Sequence, residues 1–391
     1  LFGQLGTDIY GESVNDNSAR SVAFNAAGNR IIIGANGNNG SAPYSGHARV
    51  YDWDGSAWTQ VGGDINGEAG SDYSGWKVAM NNAGNRVLVG AIYNTGNGYR
   101  AGHARMFSYD GTNWVQMGSD IDGENAEDEF SWSAAMNGAG SRVVISAYKN
   151  DGTGTNAGHT RIFDWDGTTW NQLGSDIDAE AAEDQAGYAV SMSDAGDRIA
   201  IGANYNDGAG TNTNSGHVRI YDWNGSSWAQ VGSDINGEAA GDESGYSVSL
   251  NKTGNLVAIG APKNDGTGSD GGQVRVYSYN GSSWSKLGQD IDGETAYDYF
   301  GSSVALNDDG DRLIVGATNN SANGPSSGHI RIFDWNSSSN TWVQAGDDLD
   351  GEAAGDQSGY AIAINAFGNI IASGAPNNAG SGTGSGHVRV Y

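Results

Sequence analysis

A Gly-His dipeptide recurs along this chain at a nearly constant interval, and no other feature narrows the possible folds as much. It stands at Gly46-His47, Gly102-His103, Gly158-His159, Gly216-His217, Gly328-His329 and Gly386-His387, with Gly272-Gln273 in the remaining slot. The spacings are 56, 56, 58, 56, 56 and 58 residues. An Arg lies two positions beyond each: Arg49, Arg105, Arg161, Arg219, Arg275, Arg331 and Arg389. Self-similarity at a fixed period of this length points to a repeat architecture in which each copy is one supersecondary unit.

The fourth copy shows the unit. Gly187–Met192 alternates weakly and reads as a strand, A. Ser193–Asp197 is a turn in which Gly196 permits positive φ. Arg198–Ala203 is a mostly apolar strand, B, and Asn204–Gly216 a Gly/Asn/Thr loop. His217–Trp223 alternates with period two and forms strand C. Asn224-Gly225 is a tight-turn signal, followed by strand D from Trp228 to Gly232. The segment Asp234–Ser244 leads to the next A strand, and no stretch has a helical apolar period.

Counting strands decides the architecture. There are seven A, seven B and seven C strands, but only six D strands following a C strand, because the sequence stops at Val390-Tyr391. The missing D strand is at the other end, where Phe2–Gly6 matches Trp170–Gly174. The expected fold is therefore all-β: a seven-bladed β-propeller over residues 1–391, four antiparallel strands per blade. Residues 1–8 supply the outer strand of the last blade. Ring closure of this kind leaves only short, protected edges, whereas a linear solenoid would need distinct capping repeats. Radial repetition also explains how 391 residues can form one domain.

Composition narrows function. With 46 acidic and 19 basic residues, the net charge is −27, which argues against nucleic acid and anionic membrane surfaces. No Cys is present, which removes disulfides, thiol chemistry and Cys-ligated zinc. No run of 18 apolar residues exists to span a bilayer as a helix. The chain opens at Leu1 with strand-like sequence and no signal-peptide pattern, as expected of a segment of something longer.

The sixth copy reads Phe300-Gly301-Ser-Ser-Val-Ala-Leu, then Ile314-Val-Gly316-Ala317, then Gly328-His-Ile-Arg-Ile-Phe333. This order resembles the FG-GAP repeats of integrin α-subunit propellers and their bacterial and algal relatives. Elsewhere Tyr188, Trp76 and Tyr246 stand in place of the Phe. The resemblance implies the propeller fold and, in many such repeats, calcium bound by an Asp-rich loop between strands A and B. Here that connection is a bare turn, such as Asn307–Asp311 or Asn81–Asn85. It is too short to surround an ion with six to eight oxygens, so that site is not carried over.

Because strands alternate in direction, A–B and C–D turns share one face of the disc, and the longer B–C and D–A loops share the other. Loops on a rigid scaffold are where binding usually resides. The D–A loop repeats an acidic pattern: Asp120, Asp122, Glu124, Asp128; Asp176, Asp178, Glu180, Asp184; Asp290, Asp292, Glu294, Asp298. Tyr10 interrupts the first copy, between Asp8 and Glu12. Two readings stand. Carboxylates two residues apart on a Gly-containing loop suit calcium. Alternatively they accept loop amides and pair with the strand-C arginines. The B–C loops carry Asn150–Gly154, Asn206–Gly210 and Asn264–Gly268, suited either to sugar hydroxyls or metal, or simply to a turn.

Six His in one repeat slot point to a repeated hydrogen bond rather than to a catalytic base. The Trp residues that open strand D (Trp58, Trp114, Trp170, Trp228, Trp284, Trp342) and close strand C (Trp53, Trp165, Trp223, Trp335) are expected to pack beside the C–D turn. Trp76 and Trp132, at the start of strand A near the central channel, are better candidates for contact with a partner. Asn-x-Ser/Thr sequons stand at Asn39, Asn224, Asn251, Asn280, Asn319 and Asn336, glycan sites if the chain is secreted by a eukaryote and otherwise good turn chemistry.

These observations favour a non-catalytic extracellular or cell-surface recognition or adhesion module, binding calcium, glycan or protein on its acidic face. Alternatives are a structural subunit of a filament or matrix, self-associating or joined to flanking domains, and a multivalent lectin. An enzyme would require a unique acid, base or metal cluster, and none breaks the repeat. Neither a nucleic-acid partner nor membrane insertion is expected.

Overall fold

The computed structural model describes residues 2–208 and 213–391. They form seven antiparallel sheets and no helix. In the first blade, strand A is Ser18–Phe24, B is Arg30–Ala35, C is His47–Trp53 and D is Trp58–Gln60. Strand B is apolar almost throughout because neighbouring blades cover both its faces, and Ile31, Ile32 and Ile33 are all buried. The hydrophobic core therefore lies between blades. One cluster joins Leu88 and Met106 of the second blade to Phe130 and Ile145 of the third.

Each of the first six blades has a fifth strand that the sequence did not announce. Ile65–Asn66 pairs with the upper half of strand C, Ile65 opposite Ala48 and Asn66 opposite His47. The middle of the D–A acidic pattern is thus sheet, not loop.

Closure of the last blade by the N-terminus is as expected, but the paired strand is Ile9–Tyr10 rather than a segment of residues 1–8. Ile9 lies opposite Val388 and Tyr10 opposite His387, the register of the fifth strand elsewhere. Ahead of it the Leu5 N–H donates to the Val390 carbonyl at 2.7 Å, as Val61 N–H does to Val50. The residues that pair with Trp58 and Thr59 in the first blade are Trp53 and Asp52.

A second closure lies at the axis. The A–B turns join in a circle of backbone hydrogen bonds: Ala26 N–H to Asn82, Asn82 to Gly138, Gly138 to Asp194, Asp194 to Lys252, Lys252 to Asp308, Asp308 to Ala366, and Ala366 back to Ala26, all 2.9–3.1 Å. This ring narrows the turn-face end of the central channel.

The glycines of the Phe-Gly and Gly-Ala motifs have a steric cause. Strand B of each blade crosses strand A of the next at backbone contact. A Cβ on Gly316 would lie 2.2 Å from the Gly359 carbonyl oxygen. The same crossing pairs Gly90 with Ser131, Ser146 with Gly187 and Gly374 with Ala19. Every crossing has at least one glycine, so two side chains never meet there.

Candidate functional site

The loop face carries two built features: histidine–carboxylate groups at the blade junctions and a pocket on the axis.

The four carboxylates of one D–A loop do not converge on one point. Asp120 faces His103 together with Glu68 of the preceding loop, at 3.7 and 3.9 Å from Nδ1. Glu124 faces His159 together with Asp176, at 3.8 and 3.7 Å. Glu180 does the same with His217 and Asp234. Asp122 and Asp178 lie in fifth strands, where their backbone carbonyls accept from Arg161 and Arg219. Asp128 is buried and accepts from the Asn125 N–H and the Asn150 amide. Asp184 and Asp298 repeat this with Asn206 and Asn320. Asp290 pairs with Lys286, Glu294 with Arg331, and Gln273 donates to Asp292.

The amide-capping and Arg-pairing reading thus describes much of the acidic pattern. The hydrogen bond expected of the histidines is not made. In His47, His329 and His387, Nδ1 is buried without a partner, although carboxylates stand 3.4–4.0 Å away. Burial depresses the imidazoles of His47, His103, His159 and His217 to about 4, assisted by the Arg two positions on, so they are neutral at physiological pH.

The axial pocket has a volume of about 300 Å³ and opens where the A strands begin. Its rim occupies one repeat slot, filled by Arg20, Trp76, Trp132, Tyr188, Tyr246, Ser302 and Tyr360. This slot lies two residues beyond Phe300, so, contrary to expectation, Trp76, Tyr188 and Tyr246 do not replace that Phe; Ser74, Ala186 and Ser244 stand there instead. The rim is where the sequence placed Trp76 and Trp132. Their rings are 5.0 Å apart, and Tyr148 extends the belt, 4.2 Å from Trp132. Arg20 lies between aromatic faces, 3.7 Å from Trp76 and 4.6 Å from Tyr360. One residue deeper, Lys77 occupies a slot that otherwise holds Ser21, Ser133, Ala189, Ser247, Ser303 and Ala361.

Lys77 is exceptional. The other four lysines pair with acids: Lys149 with Glu129, Lys252 with Asp308, Lys263 with Glu243 and Lys286 with Asp290. Among the described residues no carboxylate pairs with Lys77 or Arg20, and none lines the pocket. Burial lowers the Lys77 ammonium to about 8, with Arg20 as the second cause, and burial lowers Arg20 to about 10. Comparing the seven repeat slots side by side would have found both residues, since each breaks its column.

The Trp residues of strands C and D pack as expected, Trp53 on Trp58 at 5.4 Å. The Trp58 indole N–H also donates to the Leu5 carbonyl, a bond repeated around the ring. Of the sequon residues, Asn224, Asn280 and Asn336 are exposed in C–D turns, where their Oδ1 atoms accept backbone N–H groups. Asn39 does likewise with Tyr44. Asn251 is buried and accepts from the Leu256 N–H, and Asn319 is half-buried. Asn150 and Asn264 cap their own loops, at Gly152 and Gly266. The Ala209-Gly210 part of the third such loop lies outside the described residues.

Comparison with known proteins agrees with this geometry. Residues 291–333 match the FG-GAP repeat. No curated protein matches the chain in sequence. Among solved structures, a candidate 6-phosphogluconolactonase from Bacteroides uniformis is similar with a TM-score of 0.56 at 11% identity, over 85% of each chain. Kuenenia stuttgartiensis hydrazine synthase has a TM-score of 0.56 at 9% identity, over 95% of this chain and 94% of its own. At such identities the likeness is one of fold. The chain is a seven-bladed β-propeller, one stretch of which, residues 291–333, matches the FG-GAP repeat.

Proposed function

We propose that this propeller is a non-catalytic recognition module whose axial pocket binds an acidic ligand, an anionic glycan above all. The observation that carries this reading is the pair Arg20 and Lys77. They are two cations without an acidic partner, set among aromatic rings in a chain of net charge −27. Burying an uncompensated charge costs stability, and a binding site is where such a cost serves a purpose. Aromatic faces suit the apolar faces of sugar rings, and the hydroxyls of Ser21, Ser133, Ser302 and Ser303 suit their OH groups. The surrounding carboxylates would repel anions that lack a good fit, which favours selectivity over affinity. An extracellular or cell-surface setting, with a role in adhesion, goes with this ligand class.

The test is a glycan array probed with the native chain and with Arg20→Gln/Lys77→Met. Binding confined to carboxylated, sulfated or phosphorylated glycans, and lost in the variant, supports the proposal. Binding to neutral glycans that the variant retains contradicts it.

A second reading rests on Lys77 alone. An amine held at about 8 has a substantial neutral fraction at physiological pH and can serve as nucleophile or base. Borohydride trapping of a carbonyl substrate at Lys77 would establish that chemistry.

A further inference from the structure

We infer that the blade junctions are divalent transition-metal sites of the zinc or manganese type, each built from one imidazole and two carboxylates. In the site around His47, Nδ1 lies 3.7 Å from Asp64 Oδ2 and 4.0 Å from Glu12 Oε2. These gaps are too long for hydrogen bonds, which end near about 3.2 Å. They are close to the edge of a coordination tetrahedron: metal–ligand bonds of about 2.0–2.2 Å place two ligands about 3.3–3.6 Å apart. The imidazole is buried and neither of its nitrogens has a partner. Its Nδ1 points at the two carboxylates.

The remaining oxygens are held from outside. Gln60 donates to Asp64 Oδ1 at 2.7 Å, and Arg49 faces Glu12 Oε1 at 3.3 Å. Each carboxylate thus has one oxygen tethered and the other free toward His47, the arrangement by which outer groups orient metal ligands. Both carboxylates are part-exposed, which gives an ion a path in from solvent. Glu–His–Asp groups of this kind recur at His103, His159, His217 and His387. At His329 the two nearest carboxylates are Asp348 and Asp350.

The fifth blade supplies independent support. Gln273 replaces the histidine there, and Lys286 replaces the Gln that tethers the aspartate elsewhere. The Lys286 ammonium lies 2.8 and 3.0 Å from the two oxygens of Asp290. Where the imidazole is lost, a protein cation sits against the aspartate instead. In the other copies an uncharged Gln stands in the place of Lys286, and a metal ion would bring the corresponding positive charge. Imidazole favours zinc, manganese and their neighbours over calcium, whose ligands are oxygens.

The experiment uses the full chain stripped with chelator and titrated with Zn²⁺, Mn²⁺ and Ca²⁺ by calorimetry, with bound metal counted by mass spectrometry. Several Zn²⁺ or Mn²⁺ ions per chain are expected, up to one per histidine. His103→Gln/Gln116→Lys, which copies the natural solution at Gln273 and Lys286, should bind one ion fewer and, stripped of metal, keep the Tm of the stripped native chain. Less than one ion per chain, an unchanged count in that variant, or tighter binding of Ca²⁺ than of either other ion would overturn the inference.

Discussion

A single methyl group at the blade crossing should separate the steric account of the FG-GAP glycines from a merely compositional one. Gly316→Ala places Cβ 2.2 Å from the Gly359 carbonyl oxygen and 2.3 Å from Ser303 Oγ. Ordinary contact is about 3.5 Å, so two adjacent blades must move apart by about 1 Å. Overpacking of this kind costs about 1–3 kcal/mol. Gly359→Ala meets the same crossing, with its Cβ 2.5 Å from the His329 carbonyl oxygen and 3.2 Å from Gly316 Cα. It must also hold φ at +84°, which adds about 1 kcal/mol, for a total of roughly 2–4 kcal/mol. Gly63→Ala is the control: nothing lies within 4 Å of its Cβ and its φ is not left-handed. It should be neutral or stabilising by up to about 1 kcal/mol. Guanidinium denaturation of the three variants gives the order directly. Gly316→Ala and Gly63→Ala with equal midpoints would refute the steric reasoning.

Three further outcomes follow from the packing and the charges. Arg142→Ala removes the paired bonds to Asp164 and the bond to the Gly196 carbonyl of the next blade. It should cost about 1–2 kcal/mol by chemical denaturation, and Arg86→Ala, with a Ser108 partner in place of Asp, should cost less. Trp342→Ala empties a buried indole site and loses the bond to the Leu287 carbonyl, which should cost about 3–5 kcal/mol. The folded-state Lys77 ammonium titrates at about 8, below the ordinary value of about 10.4 in the unfolded chain. The unfolded chain therefore binds more protons between those values. The burial penalty is fully present below pH 8 and relieved as pH rises toward 10.4. Lys77→Met should accordingly stabilise the protein by about 1–3 kcal/mol at pH 7, an advantage that fades above pH 8, as thermal melts across pH would show.

The ring was legible because repetition multiplies weak signals. His217–Trp223 alternates as a strand should, and the structure gives the same bounds. Closure was legible from a strand count, but its register was not. Phe2–Gly6 resembles strand D, whereas the strand that pairs is Ile9–Tyr10, the counterpart of the short fifth strand that the repeat pattern did not reveal. The acidic loops were legible as a pattern and not as sites. Glu124 meets Asp176 through a blade junction that local spacing does not reveal, and Asp128 turns inward to Asn150. Arg20 and Lys77 escaped notice for the opposite reason: they are single residues, and a search for what repeats passes over what does not.

The two unpaired cations on the axis carry the functional proposal, and the titration of Lys77 tests them most directly. With only five lysines in the chain, their side-chain resonances can be followed individually by NMR from pH 6 to 12. Lys77 should titrate at about 8, while Lys252, Lys263 and Lys286, each bonded to a carboxylate, should titrate above the ordinary range. An acidic glycan in the pocket should move Lys77 upward and leave the other three in place. Titration of Lys77 with the others, unmoved by that glycan, would contradict the account.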